Sequence, residues 1–343
     1  MNSRHSIRIQ AAVATEGHRD LAIETLELAP PQDGEVQVQI VGVGLCHTDI
    51  AMIDGARPGG PLDGPIVLGH EGSARITAVG PGVEGLAVGD AVVLSFRACG
   101  GCVSCAHDHT GYCEDFLALN FTGRRRDGSV SLSRDGAPVL SEFFGQSSFA
   151  THAVVSADSV VKVDAQSDLA MLGPFGCGFQ TGAGAVLNVL RPNAGDSFLL
   201  LGAGSVGLAA LMAARLAGCS TLIVVDTDAG RLELARSLGA THVIQAPVAD
   251  LASAVAGIVG SGVNLALDTT ANVDLVAAAF GSLAPWGRCA YVGVRAPDVR
   301  LPSRQFMRGC TLHGVMEGDS RPMAFIPELV AHFRWAPSRS IGW

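Results

Sequence analysis

Phe198-Leu199-Leu200-Leu201-Gly202-Ala203-Gly204-Ser205-Val206-Gly207 is the stretch on which the fold turns. A short apolar run ends at Leu201, three glycines follow at 202, 204 and 207, and a second apolar segment, Leu208–Ala217, has helical length. Read as strand, turn and helix, the glycines permit a tight turn, close approach of the backbone to a pyrophosphate, and close helix-to-strand packing. The helix N-terminus then favours the phosphate charge. The next apolar run, Leu222–Val225, ends at Asp226, 19 residues beyond Gly207. A carboxylate at that spacing accepts from the adenosine 2′-OH and repels a 2′-phosphate, so the pattern favours NAD over NADP. The alternative is a glycine-rich turn of another α/β fold with Asp226 as a helix cap. The order strand, turn, helix, strand, acid weighs against it.

Outward from this stretch, Thr221–Val225, His242–Ile244, Asn264–Leu267 and Arg288–Val294 are further short apolar runs separated by helix-like segments of ten residues or more. Such alternation implies a parallel sheet covered by helices on both faces. Before about residue 180 the texture differs. Val36–Val43, Ser73–Val79 and Ala91–Ser95 read as short strands bounded by Gly, Pro or Asp, which makes a β-rich first half. A chain of 343 residues has room for roughly two domains, and the change of texture puts their boundary near Gly178.

Composition narrows the function classes. With 48% hydrophobic residues the chain is no disordered segment, and its 43 glycines fit many tight turns. The mean hydropathy of +0.35 raises the question of a membrane span. The charge-free run Ser197–Ala214 is interrupted by Gly202, Gly204 and Gly207, so it reads as strand, turn and helix and no membrane partner is expected. A net charge of −9 offers nucleic acid no basic face, and the short run Arg124–Arg126 is expected on a solvated loop. No secretion signal is visible at residues 1–17, so a reducing, cytoplasmic setting is expected. There the nine cysteines point to metal or catalysis more than to disulfides.

Cys99, Cys102, Cys105 and Cys113 put four thiols within 15 residues, the spacing of a closed, tetrahedral structural zinc site. His107 and His109, inside this lobe, are expected to be exposed polar residues. A second set is dispersed: Cys46-His47-Thr48-Asp49, Gly69-His70-Glu71-Gly72 and Gly176-Cys177-Gly178. Cys46, His70 and Cys177 would suit a catalytic zinc with one open position. Taken singly, each also reads as a buried cysteine or a core histidine.

With these motifs, and with Gly176-Cys177-Gly178-Phe179-Gln180-Thr181-Gly182, the sequence resembles the zinc-dependent medium-chain alcohol dehydrogenases over nearly its whole length. Within that family Gly176–Ala185, Ser147–Thr151 and Phe325–Leu329 are most similar to bacterial benzyl (aryl) alcohol dehydrogenases, a branch whose close relatives oxidise allylic alcohols such as geraniol. The resemblance implies an α/β protein of two domains. One is a β-rich GroES-like catalytic domain, residues 1–178 with 319–343 returning to it; the other is a Rossmann doubly wound parallel sheet over 179–318. It implies one catalytic zinc on Cys46, His70 and Cys177, one structural zinc on Cys99, Cys102, Cys105 and Cys113, and NAD. The implied reaction is oxidation of a primary aromatic or allylic alcohol to its aldehyde, with a polyol dehydrogenase or an inactive zinc- and NAD-binding homologue as alternatives. The implied assembly is a homo-oligomer, a tetramer in preference to a dimer.

Residue by residue, the resemblance makes Asp49 the acid that orients the zinc histidine and Glu71 the acid behind the metal. Thr48 would hydrogen-bond the alcohol and begin a proton relay, whose far end, often a histidine, is here Ala51. His47 is then either the nearest base or a contact to the pyrophosphate. Thr181, Val206, Val292, Gly293 and Val294 match positions around the nicotinamide, Gly202, Gly204 and Gly207 the pyrophosphate turn, and Asp226 and Arg231 positions near the adenosine ribose. Phe96 and Phe121 are either substrate-pocket walls or core phenylalanines, while Cys219, Cys289 and Cys310 are expected to be small buried residues.

The C-terminus departs from the family pattern. Where a run of the form Gly-x-Phe-Pro-x-Asp-x-Leu is expected, this sequence has Arg334 to Trp343. One choice of codons for that stretch, read in the next frame, spells Leu-Gly-Ala-Phe-Pro-Leu-Asp-Arg-Leu. The expectation is therefore that 334–343 are a frame-shifted tail and that a last strand and helix are missing.

Overall fold

The computed structural model describes residues 5–58, 60, 62–293 and 298–335. The chain divides into two units, Met1–Cys177 with Arg321–Trp343, and Gly178–Ser320. Val294 and residues 336–343 lie outside the described residues, and with them the greater part of the C-terminal stretch singled out from sequence.

In the first unit the described residues form two five-stranded sheets whose strand pairs are antiparallel. One contains β1 (Ile7–Ala14), β2 (Ala22–Leu28), β4 (Ile66–Val67), β7 (Leu132–Arg134) and β8 (Ala137–Val139) in the order β4-β1-β2-β7-β8. The other contains β3 (Glu35–Val43), β5 (Gly72–Val79), β6 (Ala91–Leu94), β9 (His152–Ser156) and β10 (Val160–Lys162) in the order β10-β6-β5-β3-β9. Valines and isoleucines of β3, β5, β6 and β9 supply one core, among them Val36, Val38, Ile76, Val92 and Val155. Branched side chains suit such pleated, half-buried surfaces. Residues 99–113 form an irregular lobe between β6 and β7.

The second unit holds a six-stranded parallel sheet in the order β13-β12-β11-β14-β15-β16. Its strands are β11 (Ser197–Leu201), β12 (Thr221–Asp226), β13 (His242–Gln245), β14 (Val263–Asp268), β15 (Leu283–Tyr291) and β16 (Thr311–Gly314). Phe198–Leu201 and Leu265–Leu267 are wholly buried, as expected of strands covered on both faces. The chain leaves β11 for β12 on one side and reaches β14 on the other. The carboxyl ends of β11 and β14 thus flank a topological switch point, the usual place for a ligand on an open α/β sheet.

β15 begins earlier and ends earlier than the apolar run at 288–294 suggests. Trp286 there has φ 64°, and pairing with β14 slips in register between Val263 and Leu265. The strand stops at Tyr291, and the Val292 N–H donates instead to the Asp268 carbonyl. The charge-free run Ser197–Ala214 is β11, a turn and a helix, Ser205–Leu216. No helix among the described residues is long and apolar enough to cross a membrane.

Candidate active site

Three segments of the first unit converge on one point. β3 ends at Val43, and Cys46 caps the helix His47–Ile53. His70 and Glu71 lead into β5, and Cys177 follows the tight turn Gly173–Gly176. Close approach demands glycine at two places. A Cβ on Gly44 would overlap a carboxylate oxygen of Glu71, and one on Gly176 would overlap the Leu94 carbonyl.

One ligand atom each from Cys46, His70, Glu71 and Cys177 all lie within 4.8 Å of one another. A tetrahedral zinc with bonds of about 2.0–2.3 Å spaces its ligands roughly 3.5 Å apart, which this group accommodates. Asp49 is wholly buried. Its carboxylate accepts from the N–H groups of Cys46 (3.1 Å) and Gly69 (3.0 Å) and faces His70 Nδ1 at 3.1 Å. Nε2 of His70 is buried without a hydrogen-bond partner. An imidazole oriented by a carboxylate on one nitrogen, with its other nitrogen aimed among thiols, fits a zinc ion.

The electrostatics agree. The hydrogen bond from Cys177 outweighs burial and, with His70, holds the Cys46 thiol down to about 3. Burial alone would push His70 down, but the Asp49 carboxylate and Cys46 raise it well above 6.5. An acidic thiol suits a metal ligand, which binds as the thiolate, and the histidine of such a site binds through a neutral ring nitrogen.

His47 is exposed on the first turn of its helix, and Thr48 is half-buried with Oγ1 3.7 Å from Cys46 Sγ. Ala51, in the same helix, offers no proton acceptor. Around His70 lies an aromatic shell that sequence reasoning missed. Phe144 stacks on the imidazole with centroids 4.5 Å apart, and Phe143 meets it edge-on at 5.5 Å. Phe121 packs against both phenylalanines, and Phe96 against Phe116, all within one buried cluster, so Phe96 and Phe121 are core residues. The signal available was the run Glu142–Phe149, where consecutive aromatics alternate with Gln146 and two serines.

Sγ atoms of Cys99, Cys102, Cys105 and Cys113 also lie within 4.8 Å of one another. The Cys99 N–H donates to Cys113 Sγ at 3.2 Å, and the Cys102 N–H to Cys99 Sγ at 3.3 Å. Burial pushes the Cys113 thiol up to about 12, while the Glu114 N–H helps bring Cys102 down to about 6. All nine cysteines are free thiols. Cys219, Cys289 and Cys310 are buried.

In the second unit the glycine turn divides its labour. Gly202 has φ 93°, and a Cβ on Gly207 would overlap the Gly202 carbonyl, so both are explained by the turn itself. A Cβ on Gly204 would meet nothing within 4 Å, which leaves an open cradle before the helix Ser205–Leu216. Asp226 is buried at the end of β12, accepting from the N–H groups of Ala203 (2.7 Å) and Asp228 (2.9 Å). Thr181 is buried in the helix Gly178–Gly184, which packs closely on the Val206 carbonyl through Gly182. Arg231 is exposed, and Val206, Val292 and Gly293 are half-buried.

Family models match both units: an alcohol dehydrogenase GroES-like domain over residues 32–165 and a zinc-binding dehydrogenase over 205–332. Geraniol dehydrogenase of Castellaniella defragrans is 42% identical over 333 residues, covering 96% of this chain and 88% of its own. An alcohol dehydrogenase zinc-binding domain protein from Burkholderia ambifaria superposes with a TM-score of 0.92 at 42% identity, covering 96% of this chain and 90% of that one. Benzyl alcohol dehydrogenase from Acinetobacter calcoaceticus does so with a TM-score of 0.89 at 41% identity, covering 96% and 89%.

Proposed function

Since the chain belongs to the zinc-binding alcohol dehydrogenase family, we propose that it oxidises primary alcohols of benzyl or allylic type to aldehydes with NAD as hydride acceptor. The observation that carries the substrate class is the likeness to geraniol dehydrogenase and to benzyl alcohol dehydrogenase, 42% and 41% identical, each covering 96% of this chain.

Cys46, His70 and Cys177 would hold the catalytic zinc. When bound, zinc is a Lewis acid that lowers the pKa of a hydroxyl on it toward neutrality. The protein's own groups do the rest. Asp49 fixes the His70 ring so that Nδ1 faces the carboxylate and Nε2 faces the site. Thr48 offers a hydroxyl beside the Cys46 sulfur that can pass on the alcohol proton. With Ala51 inert, His47, exposed one residue away, is the group left to exchange that proton with solvent. If His47→Gln leaves the pH profile of turnover unmoved and alters only NAD affinity, His47 serves the pyrophosphate instead.

Asp226 supports NAD. Its two backbone bonds hold the carboxylate beside the glycine turn, and each oxygen keeps a further lone pair for a ribose hydroxyl. We expect Asp226→Gly to shift the NADP-to-NAD preference by about tenfold or more, the worth of one charged contact of about 1.4 kcal/mol or above. The reading as a whole is tested by following NADH formation from benzyl alcohol, geraniol and sorbitol. Silence toward all three, in protein carrying two zinc ions per chain, would favour an inactive homologue.

A homo-oligomer, with a tetramer preferred, completes the proposal. Exposed Trp286, Phe306 and Met307, in the same unit as the sheet-edge strand β16, support self-association, which light scattering would measure. Nine free thiols suit a reducing, cytoplasmic compartment.

A further inference from the structure

The segment Phe143–Ser148 is held in an unusual conformation. Phe144, Gly145 and Ser147 have φ of 50°, 67° and 47°, the left-handed region that phenylalanine and serine seldom occupy. The loop is pinned against the strand leading to His70. Ser147 Oγ donates to the Val67 carbonyl at 2.6 Å, and the Ser148 and Phe149 N–H groups donate to the Gly69 and Leu68 carbonyls. Residues kept in sparsely populated backbone regions persist where the surroundings over-determine them, and they cluster at functional sites.

At the centre of this loop Gln146 is wholly buried. Its Oε1 accepts from the Gly72 N–H at 3.1 Å, and its Nε2 donates to the His70 carbonyl at 2.9 Å, with the Ser95 carbonyl at 3.5 Å. One amide therefore grips the main chain on both sides of Glu71. Ser95 extends the link, for its Oγ donates to the Gly176 carbonyl at 2.8 Å, one residue before Cys177. Asp49 already joins the Cys46 amide to His70 Nδ1. The buried path thus runs from Cys46 through Asp49 to His70, then through Gln146 and Ser95 to Cys177.

We propose that Gln146 and Ser95 are positioning residues that set the Cys177 segment against His70 and so fix the spacing of the three ligand segments. The proposal rests on the reading that Cys46, His70 and Cys177 hold zinc. It adds two residues that touch neither metal nor substrate. Gln146→Met keeps the side chain's length and removes both ends of its grip, while Ser95→Ala removes the hydroxyl that donates to the Gly176 carbonyl.

The experiment measures zinc release from the full-length protein to a chromogenic chelator. The four-cysteine lobe serves as an internal control in the same chain, and Cys46→Ser identifies the phase belonging to the dispersed site. Loss of a group that orients metal ligands typically weakens binding by about 10–100-fold. We expect Gln146→Met to speed release from the dispersed site by about tenfold or more and Ser95→Ala by a smaller factor, with the lobe's release unchanged. Protein reconstituted with cobalt should show shifted visible bands in both variants, a response to ligand geometry that a merely structural role would not produce. Should Gln146→Met fail to fold, Ser95→Ala carries the expectation at its smaller factor. Wild-type release rates and cobalt bands in the folded variants would overturn the proposal, as would equal acceleration at both sites. If Cys46→Ser removes no zinc from the wild-type stoichiometry, the metal reading itself fails, and the proposal with it.

Discussion

Cys99, Cys102, Cys105 and Cys113 are neighbours in sequence, and their lobe is held by backbone N–H groups from its own residues. Cys46, His70 and Cys177 come from three separate segments of the first unit, and the buried Asp49 carboxylate meets both the Cys46 N–H and the His70 ring. The lobe pairs an up-shifted Cys113 with a down-shifted Cys102. The dispersed site sets a strongly acidic Cys46 against a His70 raised by Asp49. Four sulfurs close a coordination sphere, and two sulfurs with one nitrogen leave a place for an exchangeable oxygen. The difference teaches that a metal which only braces a loop can be built locally, whereas one that must meet a substrate is supported by the whole domain.

The largest effect should come from the dispersed site. We expect Cys46→Ser to lose about one zinc per chain and to lower kcat/KM at least about a thousandfold, because Lewis-acid assistance is worth several kcal/mol and each 1.4 kcal/mol is a factor of ten. Its far-ultraviolet circular dichroism should match the wild type. Retention of turnover with one zinc fewer would erase the distinction between the two clusters.

Cys105→Ser should invert that pattern. The lobe zinc would be lost and Tm should fall by about 5–10 °C, for a loss of about 2–3 kcal/mol. A substantial share of turnover should survive at low temperature. Calorimetry with zinc analysis on the same sample checks both halves, and a variant with unchanged Tm would mean that the lobe needs no metal brace.

The contrast also explains what was legible from sequence. The glycine turn and Asp226 were readable because strand, turn, helix and acid follow in order, and they lie as that order requires, with Gly204 open and Asp226 at the end of β12. The lobe was readable for the same reason of locality. Cys46, His70 and Cys177 taken singly are a cysteine or histidine like any other, and it was the family resemblance that joined them. Gln146 and the rings on His70 escaped because their meaning depends on a loop with three left-handed residues folding back on the strand before His70. No periodicity encodes that return. The end of β15 was misjudged because the register slip facing Val263 and the Trp286 turn are set by tertiary pairing, not by hydropathy.

The smallest predicted effect separates both clusters from the scaffold beneath them. Glu142 is buried beside Phe143, with Ser131 Oγ at 3.3 Å. Arg125 and Arg97 attract it and Glu35 repels it, while Arg125 is itself committed to Glu35 at 2.6 and 3.0 Å and Arg97 to Asp158 at 3.3 Å. Burial, reinforced by Glu35, therefore outweighs the arginines and raises Glu142 to about 8, from 4.5 in the unfolded chain. A carboxyl that holds its proton more tightly when folded stabilises fully below the unfolded value, and that contribution is lost as pH rises through the folded one. Tm should thus decline between about pH 5 and pH 8. Glu142→Gln, which keeps the shape and stays neutral, should flatten that decline while leaving zinc content at both clusters unchanged. An equally steep decline in Glu142→Gln would assign the pH dependence to groups elsewhere. A flattened decline accompanied by zinc loss would mean that Glu142, through Phe143, also supports the His70 site, and the division between site and scaffold would have to be redrawn.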